Sequence, residues 1–259
     1  MKILFVGDVV GASGRRALEA LLPGLLDSHA PDFVVVNAEN IAGGLGITEK
    51  SARGLLESGV DAITLGNHAY RHREVYGFLD REERIVRPAN YPKANPGRGH
   101  TVVEKDGRRL AVVNLSGSVF LQAARSPFAE VDSVLSELRD QVAHVLVDFH
   151  AEATSEKVAM GWHLDGRVTA CVGTHTHVPT ADARVLPGGT AYVTDVGMTG
   201  ARGGVIGVER EQSLERFRTQ MPVRFEASED DPWINAVLIE ADARGSAQSI
   251  SQVLLSASE

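Results

Sequence analysis

The chain has 259 residues, 43% of them hydrophobic and 23% charged, a balance that excludes a disordered chain, and its 26 glycines show no collagen period. Lys and Arg number 26 against 34 Asp and Glu, a net charge of −8, so there is no global basic surface for nucleic acid. A single cysteine, Cys171, excludes an internal disulfide and a thiolate zinc cluster.

The first apolar run, residues 3–6, reads as a strand and is too short for a signal-peptide core. No stretch approaches the roughly 18 apolar residues of a membrane span, so no membrane association and a cytoplasmic location are expected. Residues 15–27 place Leu18, Leu21, Leu22, Leu25 and Leu26 on one face of a helix. A strand over 33–36, a helix over 49–57, a strand over 62–65 and a helix over 73–80 follow. The Pro- and Gly-rich residues 88–99 read as a loop, and residues 101–115, with a strand at 110–114, as a hairpin turning at Lys105-Asp106-Gly107. Next come a helix over 130–141, a strand over 145–149, a helix over 155–164, strands over 168–172 and 191–194, and a helix over 211–218. Residues 233–255, including the run 236–239, read as an antiparallel pair turning at Ala243-Arg244-Gly245. Strand and helix alternate, which argues an α/β fold with largely parallel sheet, and the two hairpins make the sheets mixed. No repeat or linker interrupts the chain, so residues 1–259 are expected to form one domain.

The polar residues fall where those strands end. Asp8 follows the first, Glu39 and Asn40 the second, and Asn67 and His68 the third. His150 follows the run 145–149, His175 and His177 the run 168–172, and Asp195 the run ending at 194. Ligands bind outside the carboxyl ends of strands in α/β sheets. Taken singly, an Asp after a strand is a cap or turn residue. Caps need no imidazole, however, and in extended chain His175 and His177 would face the same way. Asp8, Glu39, Asn40, Asn67, His150, His175 and His177 give oxygen and nitrogen donors enough for two metals, and such a mixed set suits Mn, Fe or Zn. A dinucleotide-binding turn is the rival for residues 6–14. Gly7, Gly11 and Gly14 have the wrong spacing for it, and an Asp in the turn would repel a pyrophosphate. Neither a P-loop nor a G-x-S-x-G elbow is present.

Gly7-Asp8, Gly66-Asn67-His68, His150 and Gly173-Thr174-His175-Thr176-His177 resemble the blocks of the calcineurin-like metallophosphoesterases. Two departures, Val10 in the first block and Glu39-Asn40 in the second, are similar to the bacterial YmdB-type subfamily. So are Asn37-Ala38-Glu39-Asn40, Arg87-Pro88-Ala89-Asn90-Tyr91-Pro92 and residues 194–200. The resemblance implies a four-layer α/β/β/α sandwich with two mixed sheets. It also implies a two-metal phosphodiesterase of cyclic nucleotides, 2′,3′-cyclic and 3′,5′-cyclic forms included.

Carried over by the resemblance, one metal takes Asp8, Glu39, Asn40 and His177, and the other takes Glu39, Asn67, His150 and His175. Asn40 then replaces the histidine missing at Val10. The implied cofactors are two divalent or trivalent transition-metal ions, Fe or Mn, with Zn compatible. Their shared hydroxide would attack phosphorus, and His68 would protonate the leaving oxygen or hydrogen-bond a phosphate oxygen. Arg87, Asn90 and the loop 43–46 are further substrate-contact candidates, and Asp195 is either a hydrogen-bond partner for a ligand histidine or a turn residue. His29, His72, His100, His144 and His163 are assigned no role. The expected partner is a small phosphodiester or cyclic nucleotide. Alternatives are a metal-binding regulator with slow turnover and a phosphomonoesterase, and a homo-oligomer stays open.

Overall fold

The computed structural model describes residues 1–257. β1 (Lys2–Val6) leads through α1 (Gly11–His29) to β2 (Phe33–Asn37), and α2 (Glu49–Glu57) leads on to β3 (Ala62–Thr64). After a single 3₁₀ turn, α3 (Tyr76–Arg81) delivers β4 (Ile85–Val86). The hairpin of β5 (His100–Lys105) and β6 (Arg108–Ser116) precedes α4 (Pro127–Leu138), β7 (Val145–His150), α5 (Thr154–Leu164) and β8 (Ala170–Thr174). Short strands β9 (Arg184–Val185), β10 (Ala191–Val193) and β11 (Gly200–Ala201) follow. The chain closes with α6 (Arg210–Thr219), β12 (Pro232–Ala241) and β13 (Ala247–Ser256).

Two mixed sheets result. The first has the order β11-β12-β1-β2-β3-β4. Its members β1 to β4 are parallel, and β12 runs antiparallel to β1, β11 and β13. The second has the order β5-β6-β7-β8-β10-β9, parallel from β6 to β10 and antiparallel at both edges.

Side-chain alternation along the strands builds the layers. Ile3, Phe5, Phe33 and Val35 meet Val112, Leu146 and Val172 between the sheets. Leu4, Val6, Val34 and Val36 face the other way, onto Leu18, Leu22 and Leu25 of α1 and Leu55 of α2. Across the molecule, Ala111, Val113 and Val147 lie under Val131 and Val134 of α4 and Met160 and Leu164 of α5. Helices thus cover the outer face of each sheet, giving the α/β/β/α sandwich. Strands covered on both faces must be apolar throughout, which is why β1 and β2 read as unbroken hydrophobic runs.

Element boundaries show where local pattern and tertiary structure part. The helix α2 has the expected bounds, because Thr48 and Ser51 form a capping box at its start. The helix α1 starts at Gly11 rather than residue 15, with the Gly14 N–H donating to the Val10 carbonyl at 3.0 Å. The helix α4 starts at Pro127 rather than 130, where the missing proline N–H costs nothing. Register against β7, with Leu146 opposite Ala170 and His150 opposite Thr174, places β8 two residues later than residues 168–172. The strands β4, β9 and β11 have two residues each and carry no periodicity to read. Among the described residues no helix is long and apolar enough to cross a membrane.

Candidate metal centre

The parallel strands of both sheets deliver their carboxyl ends to one place. Asp8 lies two residues beyond β1, Glu39 and Asn40 just beyond β2, and Asn67 beyond β3. His150 is the last residue of β7 rather than its successor, and His175 follows β8. The structure brings together Asp8, Glu39, Asn40, Asn67, His68, His150, His175 and His177, all the residues of the expected constellation.

Glu39 is its hub. Its Oε1 accepts from Asn40 Nδ2 at 3.0 Å, lies 2.9 Å from His68 Nδ1 and 3.2 Å from His150 Nε2, and its Oε2 accepts from the His68 N–H at 2.9 Å. His150 Nε2 also lies 2.9 Å from Asn67 Oδ1 and 3.1 Å from His175 Nδ1. Asp8 Oδ2 accepts from the His175 N–H at 3.1 Å. His177 Nε2 lies 3.3 Å from Asn40 Nδ2, and its Nδ1 donates to the Ile206 carbonyl at 2.9 Å. Gly66 is required here: a Cβ on it would lie 2.3 Å from Glu39 Oε2 and 2.4 Å from His150 Nε2.

Burial pushes the Asp8 carboxyl up in pKa, against the pull of His177 and His150. Burial would raise Glu39 too, but the charge of His150 and hydrogen bonds from His150 and His68 hold it well below the usual range. For His150, burial favours the neutral ring, yet Glu39, Asp8 and Asp148 outweigh it and lift the group to about 9. His175 is pushed down to about 3 by burial and by the His150 charge. The cluster therefore draws a proton onto His150 to offset its carboxylates, while Asp8 Oδ1 is buried with no hydrogen-bond partner among the described residues. A bound metal cation would satisfy both demands, a lone carboxylate oxygen and a shortage of positive charge. Glu39, His150 and His175 already offer ligand atoms all within 4.8 Å of one another. The residues present fit a bound metal.

The histidine turn differs from its expected geometry. His175 and His177 have φ of 99° and 68°, so the segment is not extended and the two rings diverge. His175 points to His150 and Glu152, His177 to Asn40 and Ile206. Left-handed conformations at two non-glycine residues cost about 1–3 kcal/mol each. The Asp195 carboxylate holds the turn: its Oδ2 accepts from Thr176 N at 3.1 Å and Thr176 Oγ1 at 2.7 Å, and Lys157 Nζ pairs with it at 2.6 Å. Asp195 thus fixes the backbone between the two histidines instead of bonding a ring.

Three contributors carried little sequence signal. Asp148 is fully buried and raised to about 6 by that burial. It accepts from Asn37 Nδ2 at 2.9 Å and Thr64 and Thr174 hydroxyls, and Thr174 Oγ1 contacts His150 Nδ1 at 2.9 Å. Its signal is a carboxylate inside the apolar run 145–149. Glu152, 2.9 Å from His175 Nε2, and Lys157, on α5, have none. Arg87 and Asn90, expected as substrate contacts, clamp loops instead. The Arg87 guanidinium donates to the Pro88 carbonyl at 2.9 Å. Asn90 bonds the Ser116 N–H and carbonyl and the Arg125 carbonyl.

A cavity of about 390 Å³ opens over Glu39, Asn40, His68, His175 and His177. Its far wall is apolar, made by Leu45, Ile206, Val208 and Phe225, and the loop residues Gly43 and Gly44 complete it.

A family model described as YmdB-like protein matches residues 4–253. The 2′,3′-cyclic-nucleotide 2′-phosphodiesterase of Bacillus subtilis (strain 168) is 48% identical over 242 residues, covering 93% of this chain and 92% of that protein. The crystal structure of a hypothetical protein from Thermus thermophilus superposes with a TM-score of 0.93 at 44% identity, covering 99% of both chains. That of a novel phosphatase from Mycoplasma pneumoniae superposes with a TM-score of 0.92 at 35% identity, covering 99% of this chain and 93% of the other.

Proposed function

The chain belongs to the YmdB-like protein family, and from that premise we propose that it is a metal-dependent phosphodiesterase of 2′,3′-cyclic nucleotides. The observation that carries the reading is the buried cluster around Glu39, with the Asp8 Oδ1 orphaned inside it. We assign one ion to Asp8, Glu39, Asn40 and His177, and a second to Glu39, Asn67, His150 and His175. Fe or Mn suits this donor set, and Zn is compatible. Bound there, the ions supply the charge that acidifies an attacking water and neutralises the phosphoryl oxygens.

The chain's own residues do the rest. Thr174 Oγ1 sits on His150 Nδ1 and so aims Nε2 at the centre. His68 Nδ1 faces Glu39 Oε1 at 2.9 Å and Asn40 Oδ1 at 2.8 Å, so the Nδ1–H is anchored there. Its Nε2, 3.2 Å from Asn67 Nδ2, is then the atom that would hand a proton to the leaving ribose oxygen once that contact opens. The apolar wall of Leu45, Ile206, Val208 and Phe225 gives a nucleoside a dry surface.

The charge of the lining favours diesters. Among the described residues neither Lys nor Arg lines the cavity, whereas Glu152 and Glu226 do. A monoester dianion would face those carboxylates without a cationic clamp, and a diester monoanion suffers less. The test compares kcat/KM for 2′,3′-cyclic AMP with 2′-AMP, 3′-AMP and 5′-AMP in the same Mn-loaded preparation. The cyclic diester is expected to be the best substrate, and 3′,5′-cyclic AMP, of equal charge, is expected to turn over as well. Faster turnover of the monoesters would overturn the diesterase reading.

A further inference from the structure

One cavity lies over the centre and can hold a cyclic mononucleotide by itself, while others border single members of the constellation. In 2′,3′-cyclic AMP both ester oxygens belong to one ribose, so the phosphate carries a nucleoside on one side alone. The cavity with Leu45 and Phe225 accounts for that side. A second cavity, of about 610 Å³, touches Asn67 and is walled by Tyr70, Tyr91 and Phe120, with the amide side chains of Asn95 and Gln122 among its lining.

The topology sets these cavities on opposite flanks of the metal ligands. The first is built after β1, β2, β7 and β8, with His68 from the loop after β3, and by the segments 206–208 and 225–227 that precede β12. The second is built after β3, β4 and β6. In the order β12-β1-β2-β3-β4 the two groups of loops meet at β3, whose loop gives His68 to the first cavity and Asn67 to the second, and in β6-β7-β8 they divide between β6 and β7. The sheets are aligned in the same sense, since β3 and β4 lie against β6 while β13 lies against β9 and β10.

The second cavity has the chemistry of a base platform. The Tyr70 and Tyr91 rings lie 6.3 Å apart with planes inclined by 33°. Phe120 is 87% exposed and has a left-handed φ of 64°. Aromatic faces of this kind stack bases with little regard to sequence.

We infer that the centre also hydrolyses linear internucleoside phosphodiesters, one nucleoside lying against Phe225 and the other against Phe120 and Tyr91. This rests on the phosphodiesterase reading above. Water supplies the oxygen that bonds to phosphorus. The bond from phosphorus to one ribose oxygen breaks, and a proton goes to that oxygen. The products are a nucleoside and a nucleoside monophosphate, with no oxidant or co-reactant.

The test uses the Mn-loaded chain with two substrates, adenylyl-3′,5′-adenosine and 2′,3′-cyclic AMP. The dinucleotide is expected to yield adenosine and AMP. Phe120→Ala is expected to lower the ratio of kcat/KM for the dinucleotide to kcat/KM for 2′,3′-cyclic AMP by about 10-fold or more, the scale of one lost base stack. That ratio is internal to one preparation, so a partly folded variant does not move it. Turnover of 2′,3′-cyclic AMP without turnover of the dinucleotide, or a ratio unchanged in Phe120→Ala, overturns the inference and leaves the phosphodiesterase reading standing. No turnover of either substrate by the parent chain overturns both.

Discussion

Lys157→Met is the perturbation that best separates the scaffold of the histidine turn from its ligands. The Lys157 and Asp195 side chains are 1% and 0% exposed, and their charged atoms lie 2.6 Å apart. Methionine nearly fills the lysine volume, so the main effect is a carboxylate left buried without its counter-charge. Breaking one side of a buried pair costs about 3–5 kcal/mol. Asp195 keeps donors from Thr176 N, Thr176 Oγ1 and Gly197 N, which places the expected loss near the lower end, about 3 kcal/mol. Adding Asp195→Asn removes the stranded charge and is expected to return much of that loss. Urea unfolding of chelator-treated protein measures both variants. Because Thr176 sits between His175 and His177, metal affinity is expected to weaken about 10–100-fold in Lys157→Met. A loss below about 1 kcal/mol together with unchanged metal affinity would refute the role given to the pair.

Three further outcomes follow from the centre. Gly66→Ala drives a Cβ into Glu39 and His150, so metal content should fall by an order of magnitude with the circular dichroism of the fold retained. His68→Ala should keep its metal and lose about 10²–10⁴ in kcat, less with a nitrophenyl leaving group that needs no proton; equal losses for both substrates would point to phosphate positioning instead. Metal binding should release close to one proton per chain at pH 7.5, since carboxylates around the metal-free His150 hold it protonated up to about pH 9 and a ligand imidazole is neutral. The release should fade as the pH passes 9, and calorimetry in buffers of different ionisation enthalpy reads it directly; no release at pH 7.5 would contradict the electrostatic account.

Much of the site was legible because strand ends mark themselves. An apolar run that stops at Asp8, Glu39 or Asn67 locates a donor at a sheet's edge without any knowledge of packing. The layers were legible for the same reason, since β1 and β2 must be covered on both faces. The spacing of His175 and His177 puts both rings on one side only in extended chain, whereas the backbone turns left-handed at both. That turn depends on Asp195 and Lys157, which come from other elements. Segments 206–208 and 225–227 reach the cavity only through the excursion between β11 and β12, so nothing near them in sequence signals a site. Arg87 and Asn90 are polar loop residues and so read as substrate-contact candidates. Their side chains bond the Pro88, Ser116 and Arg125 backbone, contacts that only the folded loop creates.

The proposed dinuclear centre is tested by titrating Mn(II) into chelator-treated protein and following initial rates on 2′,3′-cyclic AMP. The rate is expected to climb to a plateau at two equivalents per chain, and Glu39→Gln, which alters the ligand assigned to both ions, is expected to abolish the climb. A plateau at one equivalent, or full activity in the metal-free chain, would rule out two ions at the site.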